Sequence, residues 1–458
     1  MLELEETEGG VLDHDFLTQH CHGLQDWMDW VASTDWTRLE RVSGLTRKQM
    51  QHTAVCYARS KAVIGVYGMG LTQHVHGSDA IGALVNLLLL RGNIGRKGAG
   101  CSPVRGHSNV QGQRTVGISE KPKLVPNDKL RELFDIEPPM DEGWNTTAFV
   151  QGVLDGEAQG FVGLGGNLAR AVPDQDRVAQ AWARMPLTVH IATRLNRTHL
   201  MPGKSSWILP CLVRAEEDIQ NGTNQQITIE DSFSHIHASI GQRSPASPHL
   251  KSEVAIVAGL AAATVDANPK LAWGEWTADY SRIRALIEET YPDQFHDFET
   301  RMTQSGGFYR GNSARERDWQ TDSGRANFTL PRDLDATGLG DGDGVFRLMT
   351  LRSNDQFNTT IYGMSDRLRG IEGDRMLIMM SPDDMDDMGL QAEQRITLGE
   401  TGGGARQVAG LRVVPYDLPR GCLAGYFPEL NPLAPLDRRD MLSDTPASKG
   451  IPVRITAT

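Results

Sequence analysis

The sequence predicts an α/β protein with parallel sheets, followed by a small β-barrel. Three observations carry this. Short apolar runs alternate with helical segments between about residues 62 and 210, the pattern of a parallel sheet covered by helices. A turn-rich GLGDGDG stretch at 338–344 marks a change of character. After it come six short runs of strand character separated by turn residues, the pattern of a barrel.

Taken in order, residues 11–60 read as mostly helical, with aromatic and polar residues interleaved (DWMDWVASTDW). Ala62–Val66 reads as a buried strand ending in Gly68-Met69-Gly70. A helix follows, with Ser78 expected as N-cap, Asp79 in its first turn and Gly92 just past its end. Its body, AIGALVNLLLL, is apolar nearly all round and so is expected to be buried. A second strand–helix signal runs from Gly160 to Arg184. Phe161–Leu164 is the strand, Gly165-Gly166-Asn167 the loop, and Pro173 is expected to open the helix DQDRVAQAWARM. Val189–Ala192 and Trp207–Leu209 read as further strands. Beyond 344 the strand runs are Val345–Leu351, Arg375–Met380, Arg395–Leu398, Gln407–Val414, Cys422–Phe427 and Ile451–Thr456.

Composition excludes several classes. The chain has 458 residues, a net charge of −12, 39% hydrophobic and 23% charged residues, which is ordinary for a globular protein. An acidic balance without a clustered basic face argues against nucleic acid as a partner. The five cysteines, Cys21, Cys56, Cys101, Cys211 and Cys422, are odd in number and widely spaced. That disfavours a disulfide framework and favours a reducing compartment. No CxxC or CxxxC pair is present, so an iron–sulfur cluster or zinc site contained in this chain has no support. The acidic start MLELEETEGG is not a signal peptide. The longest apolar run, around Leu87–Leu90, falls far short of the ~20 residues that span a bilayer. The expectation is a cytoplasmic protein.

The most unusual stretch is Gly92–Gln113, GNIGRKGAGCSPVRGHSNVQGQ, rich in glycine, amides and basic side chains. Glycines let a backbone approach a ligand, and free N–H groups hold phosphate oxygens. Arg105 can grip an anion with its planar fork. With an extended backbone, His107 would face the same way and move a proton. The alternative is an ordinary surface loop. The Gly163–Asn167 loop follows a strand, where open α/β sheets bind ligands, or it is a plain turn. Three clusters fall in the barrel: RSNDQFNTT (352–360), YDLPRGCLAGYFPELNPL (416–433) and TPASK (445–449). Each alone is as compatible with turn chemistry as with a ligand. His74 and His76 form an HxH pair without a third metal ligand in view. No GxSxG, HExxH or GxxxxGK[ST] motif occurs, and a plain NAD(P) dehydrogenase lacks a GxGxxG.

Read together, these segments resemble molybdopterin oxidoreductases related to the formate dehydrogenase alpha subunit. Thr72-Gln73-His74, Gly92–Gly95 and Pro103–Gly112 follow that family's order of a QH-rich loop, a TGNIG-like segment and PVRGxxNVQG. RSNDQFNTTIYGMSDRLRGI (352–371), YDLPRGCLAGYFPELNPL and TPASKGIPVRI are similar to the molybdopterin-dinucleotide-binding barrel of a formate-dehydrogenase-like subfamily, some members of which are linked to acid resistance. The resemblance covers nearly the whole chain. It implies Rossmann-like parallel-sheet domains followed by a double-psi barrel. The domains expected are 1–105, the C-terminal part of an α/β domain; 106–310, an α/β dinucleotide-binding domain; 311–344, a linker; and 345–458, the barrel.

The implied cofactors are molybdenum and bis-molybdopterin guanine dinucleotide. Arg105 matches the family's active-site arginine, with His107 as a candidate proton acceptor. His107 stands where formate dehydrogenases usually have glutamine, a departure that weighs against formate itself. The implied cofactor-binding residues are Gly106, Asn109, Gln111, Gly165, Asn167, Arg194, Arg352, Asn354, Gln356, Asn358, Thr359, Asn431 and Lys449, with no metal ligand in this chain. Family members carry a long N-terminal part that supplies the Cys or selenocysteine ligand and any cluster cysteines. A [4Fe-4S] cluster would therefore draw on residues upstream of Met1, and a separate N-terminal polypeptide would complete the chain if it is not a fragment. The expected activity is two-electron redox of a small anionic substrate with an unidentified electron acceptor. The alternative is a truncated, inactive chain that binds a cofactor or a partner.

Overall fold

The computed structural model describes residues 1–104, 106–107, 109–332, 344–401 and 406–457. The chain divides into two compact units: residues 1–104, 312–357 and 361–458 form one, and residues 105–311 with 358–360 form the other.

The first unit opens with helices Leu2–Glu8, His14–His20, Leu24–Ala32, Trp36–Ser43 and Arg47–Arg59. Strands Ile64–Tyr67 and Gly100–Pro103 then pair in parallel, with helix Gly77–Leu89 between them. The helix crosses over Gly65, where a Cβ would stand 3.1 Å from Leu88. Its C-terminal end is buried, with Leu88, Leu89 and Leu90 each 1% exposed. Gly77 and Asn86 are buried as well, but the remaining residues of the helix are half-buried and Ala83 is exposed, so the all-round burial expected of it is not reached. Asn86, the polar residue in the apolar run, exchanges two hydrogen bonds with the Thr329 backbone (2.8 and 3.1 Å). This satisfies a buried amide that would otherwise cost free energy. Gly92 takes the left-handed conformation (φ 56°) just past the helix.

The cap reading at Ser78 is corrected. The N-cap is His76, without a side-chain cap bond. Ser78 lies inside the first turn, and its N–H and hydroxyl donate to Asp440, at 3.2 and 2.6 Å. A partner 362 residues away outcompetes the local role.

Residues 346–457 contain a closed barrel of six strands. Around the ring run Phe346–Leu351, Cys422–Tyr426, Leu377–Met380, Gln407–Pro415, Arg395–Glu400 and Lys449–Ala457, which returns to the first strand. The first strand is parallel to the second, and the third to the fourth; the remaining pairs are antiparallel. Leu348, Ile378, Leu411, Val413 and Leu423 point inward and are fully buried. Of the stretch read as a linker, residues 312–332 pack into this unit. Ala326–Asn327 pairs in parallel with Cys21–His22, and Trp319 meets Phe16 edge-on. Residues 333–343 lie outside the described residues.

The second unit holds a parallel sheet of Gly160–Leu164, Leu187–Ala192 and Ser205–Pro210. Helices Thr146–Asp155 and Gln175–Trp182 contribute Phe149 and Trp182 to an aromatic cluster with Phe161 and His190. The second helix begins at Gln175, two residues after Pro173, because Asp174 takes a left-handed conformation (φ 51°). Ile256 and Leu260 of helix Glu253–Thr264 pack on Ile191 and Leu209. A second, antiparallel sheet joins Gln226–Glu230, His235–Ile240 and Phe308–Tyr309. Phe295, Phe298 and Met302 pack against its Ile236 and Phe308. Among the described residues no helix is long and apolar enough to cross a membrane.

Candidate functional site

In the first unit, the loop after strand Ile64–Tyr67 meets the start of the last barrel strand. The Lys449 N–H donates to the Gln73 carbonyl (3.0 Å), and the Ser448 hydroxyl donates to Gln73 Oε1 (2.9 Å). Gly450 takes φ 66°, and a Cβ there would lie 3.6 Å from the His74 ring. Arg438 Nη2 donates to the Gly450 carbonyl (2.8 Å). Segments 72–74 and 445–450, far apart in the chain, therefore form one surface.

That surface is cationic. Lys449 Nζ donates to the Thr350 carbonyl and lies 3.4 Å from its hydroxyl. Burial, reinforced by the charge of Arg352, pulls the Lys449 ammonium down to about 8. Burial likewise lowers His74, and the charges of Lys449 and Arg438 add to this against a hydrogen bond with the Gly70 backbone. Neither Lys449 nor Arg352 pairs with a carboxylate among the described residues. Two cations, one of them largely desolvated, without a counter-charge make a place for an anion.

Beside them, Asn354 Nδ2 is buried and meets no acceptor at hydrogen-bonding distance, although its amide helps hold the Asp355 carboxyl below its usual range after Arg367. Gln356 is different. Its Oε1 accepts from the Ser353 N–H (3.0 Å) and Arg375 (3.0 Å), and its Nε2 donates to the Phe427 carbonyl (2.8 Å). Arg375 is in turn paired with Glu429 inside the unit. Both ends of the Gln356 amide are thus engaged in the protein's own network. Asn431 is 2% exposed in the turn after strand Cys422–Tyr426.

In the second unit, Gly165 and Gly166 take φ 71° and 80°, and a Cβ on either would meet nothing within 4 Å. The loop therefore stands open at the C-terminal end of its strand. Asn167 is buried. Its Oδ1 accepts from the Thr198 N–H and hydroxyl (3.3 and 2.9 Å), and its Nδ2 donates to the Thr359 carbonyl (3.2 Å). It is a clamp that fixes the loop, and Thr359 is buried with it. Asn358 holds a left-handed conformation (φ 50°). Arg194 is exposed.

Also in the second unit, Gly106, His107, Asn109 and Gln111 line a cavity of about 320 Å³ together with Glu230 and Asp231. His107 is exposed. Arg105 lies outside the described residues. Residues 106–107 bend, and Asn109 at φ 57° turns the chain into helix Gly112–Thr115. Asn109 Oδ1 accepts from the Glu230 N–H (2.9 Å), while Gln111 Nε2 donates to Glu230 Oε1 (3.1 Å) and the Asp231 carbonyl. A Cβ at residue 112 would collide with the Asn109 amide at 1.9 Å, so the clip needs glycine there. These two amides pin the glycine-rich loop to strand Gln226–Glu230.

The structure adds Gln73, His74, Arg438 and Glu230 to the residues expected. The QH loop was visible in the sequence as a motif, but its meeting with TPASK was not. Arg438 and Glu230 carry no local signal. His76, the other half of the HxH pair, is turned to Asp79 (2.9 Å). Among the described residues no three His, Cys, Asp or Glu side chains group to hold a metal.

Comparison with known proteins gives a consistent set of likenesses. No family model matches the chain. It is 42% identical over 453 residues to "Protein YdeP" of Escherichia coli K12, covering 97% of this chain and 59% of that protein. It is 39% identical over 469 residues to a protein of Mycobacterium tuberculosis named an uncharacterized oxidoreductase, covering 100% of this chain and 59% of the relative. The F420-dependent formate dehydrogenase subunit alpha of Methanocaldococcus jannaschii is 31% identical over 137 residues, covering 30% of this chain and 20% of that subunit. In fold, the chain is similar to the acetylene hydratase of Pelobacter acetylenicus, with a TM-score of 0.66 at 13% identity, over 100% of this chain and 69% of that one. The chain thus spans about three-fifths of the length of the curated relatives it matches.

Proposed function

We propose that this chain is a portion of a molybdopterin-dependent oxidoreductase, formate-dehydrogenase-like, acting on a small anionic substrate. The observation that carries this is the cationic surface of Lys449 and Arg352, without carboxylate partners, beside the orphaned Asn354 amide. The names of the relatives, oxidoreductase and formate dehydrogenase subunit alpha, support the reaction class.

The residues present fit bis-molybdopterin guanine dinucleotide. Lys449 and Arg352 suit phosphate oxygens, and Asn354 Nδ2 has a free donor for a pterin or guanine oxygen. In the second unit, the open Gly165–Gly166 backbone suits close approach of a nucleotide, with Arg194 for its phosphate. The barrel is of the double-psi type in this reading. When bound, the group supplies a molybdenum centre for two-electron redox chemistry. The protein's part is to bind, orient and handle protons. Asn167, Asn109 and Gln111 act on their loops by fixing the backbone. Arg105 would neutralise the substrate's charge, and His107 would accept a proton at an imidazole nitrogen. Any metal ligand or [4Fe-4S] cluster belongs to the part of the relatives that this chain does not match, on the same polypeptide or on a completing one.

The test is molybdenum and released guanine nucleotide per chain, in protein isolated from cells that make the cofactor. Both present in wild type, and both reduced at least about fivefold in Lys449→Met/Arg352→Leu with unchanged circular dichroism, is the expected result. Nucleotide without molybdenum would favour an inactive cofactor-binding chain. Neither in wild type would overturn the reading.

A further inference from the structure

In the second unit, the turn after strand Leu187–Ala192 holds the glycine loop, and a histidine holds the turn. Asn196 Nδ2 donates to the Gly166 carbonyl (2.7 Å), and Thr198 donates twice to Asn167 Oδ1. The Asn196 N–H donates in turn to His199 Nδ1 (2.9 Å). A ring nitrogen that accepts an N–H carries no proton, so His199 is the neutral tautomer with its hydrogen on Nε2. That Nε2 is buried and meets no acceptor.

His199 meets His190 at a steep angle, with ring centroids 5.0 Å apart. His190 is 5% exposed and lies against Phe161 and Trp182, and its Nε2 is also buried without a partner. Burial, and then His199, hold its imidazole below the usual 6.5. Nothing charged around the pair compensates a proton on it. The flanking strands Gly160–Leu164 and Ser205–Pro210 carry no ionisable side chain. Helix Leu168–Ala171 brings Arg170, bonded to Gln175. Asp174, before helix Gln175–Trp182, is paired with Arg177 (3.3 Å), and Asp176 of that helix is exposed. Asp155, at the end of helix Thr146–Asp155, is bonded to Gln151, and Arg197 in the turn is exposed. Among the described residues neither ring pairs with a carboxylate.

Proton uptake is thereby tied to the loop. A proton added to His199 goes to Nδ1, where it points at the Asn196 N–H and breaks the bond that holds the turn. A proton on His190 places an unpaired charge inside an aromatic cluster. We propose that the two rings form an acid-sensitive latch, which fixes the Gly165–Asn167 loop while both are neutral and frees it when either takes up a proton. What this does to a bound nucleotide rests on the reading of that loop as a nucleotide site; the latch itself does not. The fixed loop needs neutral rings and a released histidine takes up a proton below about pH 6.5, so release is favoured as pH falls, by about tenfold from pH 7.5 to 5.5.

Hydrogen–deuterium exchange on the purified full chain, corrected for the intrinsic pH dependence of amide exchange, tests this without a cofactor. In wild type, segments 163–170 and 194–200 should exchange about tenfold faster at pH 5.5 than at pH 7.5, with helix Ser281–Thr290 of the same unit unchanged. His199→Asn keeps an oxygen that can accept the Asn196 N–H but does not titrate, and should cut the response to about threefold or less. His190→Phe keeps the aromatic packing and should reduce the response as well, so either variant decides if the other does not fold. A wild-type response below about twofold overturns the latch. So does an undiminished response in a folded variant, or an equal response in helix Ser281–Thr290, which would mean that the whole unit softens. A failure of the nucleotide reading would appear only in the cofactor analysis and would leave this result standing.

Discussion

Lys449 sits where a lysine is expensive. Its folded value of about 8 lies below the ordinary 10.5, so the unfolded chain binds more protons between those limits and stability rises with pH across them. Below about pH 8 the full penalty is present. Lys449→Met should therefore stabilise the cofactor-free chain at pH 7 by about 1–3 kcal/mol, a gain that fades toward pH 10.5. Inorganic pyrophosphate should raise the melting temperature of wild type and leave the variant unmoved. Asp440 shows the opposite sign. Burial pushes its carboxyl up, but hydrogen bonds from Ser78 and Ser443 outweigh this and hold it at about 2. Its contribution is whole above pH 3.8 and is lost as pH falls toward 2. It amounts to about 2 kcal/mol, and Asp440→Asn should flatten the acid limb of a stability–pH curve. Asn167→Ala removes bonds to Thr198 and Thr359 from a buried site. It should cost about 2–3 kcal/mol in urea unfolding.

At the scale of elements, local pattern was a good guide where burial follows the chain's own period. Phe161–Leu164 and the six barrel runs fall within a residue or two of strands Gly160–Leu164, Phe346–Leu351, Leu377–Met380, Arg395–Glu400, Gln407–Pro415, Cys422–Tyr426 and Lys449–Ala457. It failed where a distant partner decides. Ser78 has every local mark of a cap, yet Asp440 takes its hydroxyl. The antiparallel sheet of QITIE and HIHASI escaped the reading because its strands are half-buried and polar at intervals. Because Ser78 acts through Asp440, a double-mutant cycle of Ser78→Ala with Asp440→Asn should show coupling of about 1 kcal/mol. A simple cap would give none.

For the whole molecule, the βα alternation and the barrel were both legible, because each is a repeating pattern. The residues of the candidate sites were legible as hydrogen-bonding types. Gln356, Asn167, Asn109 and Gln111 were expected to hold a ligand, and the structure engages their amides in fixing loops. Hydrogen-bonding side chains near glycine look the same in a sequence whichever partner they choose. Only the three-dimensional neighbourhood separates Asn354, with its orphaned donor, from Gln356 two residues on.

The ring of the barrel has a consequence for synthesis. Lys449–Ala457 pairs on one side with Arg395–Glu400 and on the other with Phe346–Leu351, so the ring stays open until this strand leaves the ribosome. Until then two edges with unpaired backbone groups are exposed, the state in which nascent β-structure sticks to its neighbours. Lys449 is the first residue of that strand, and so the cationic surface cannot form before the strand that closes the ring has emerged.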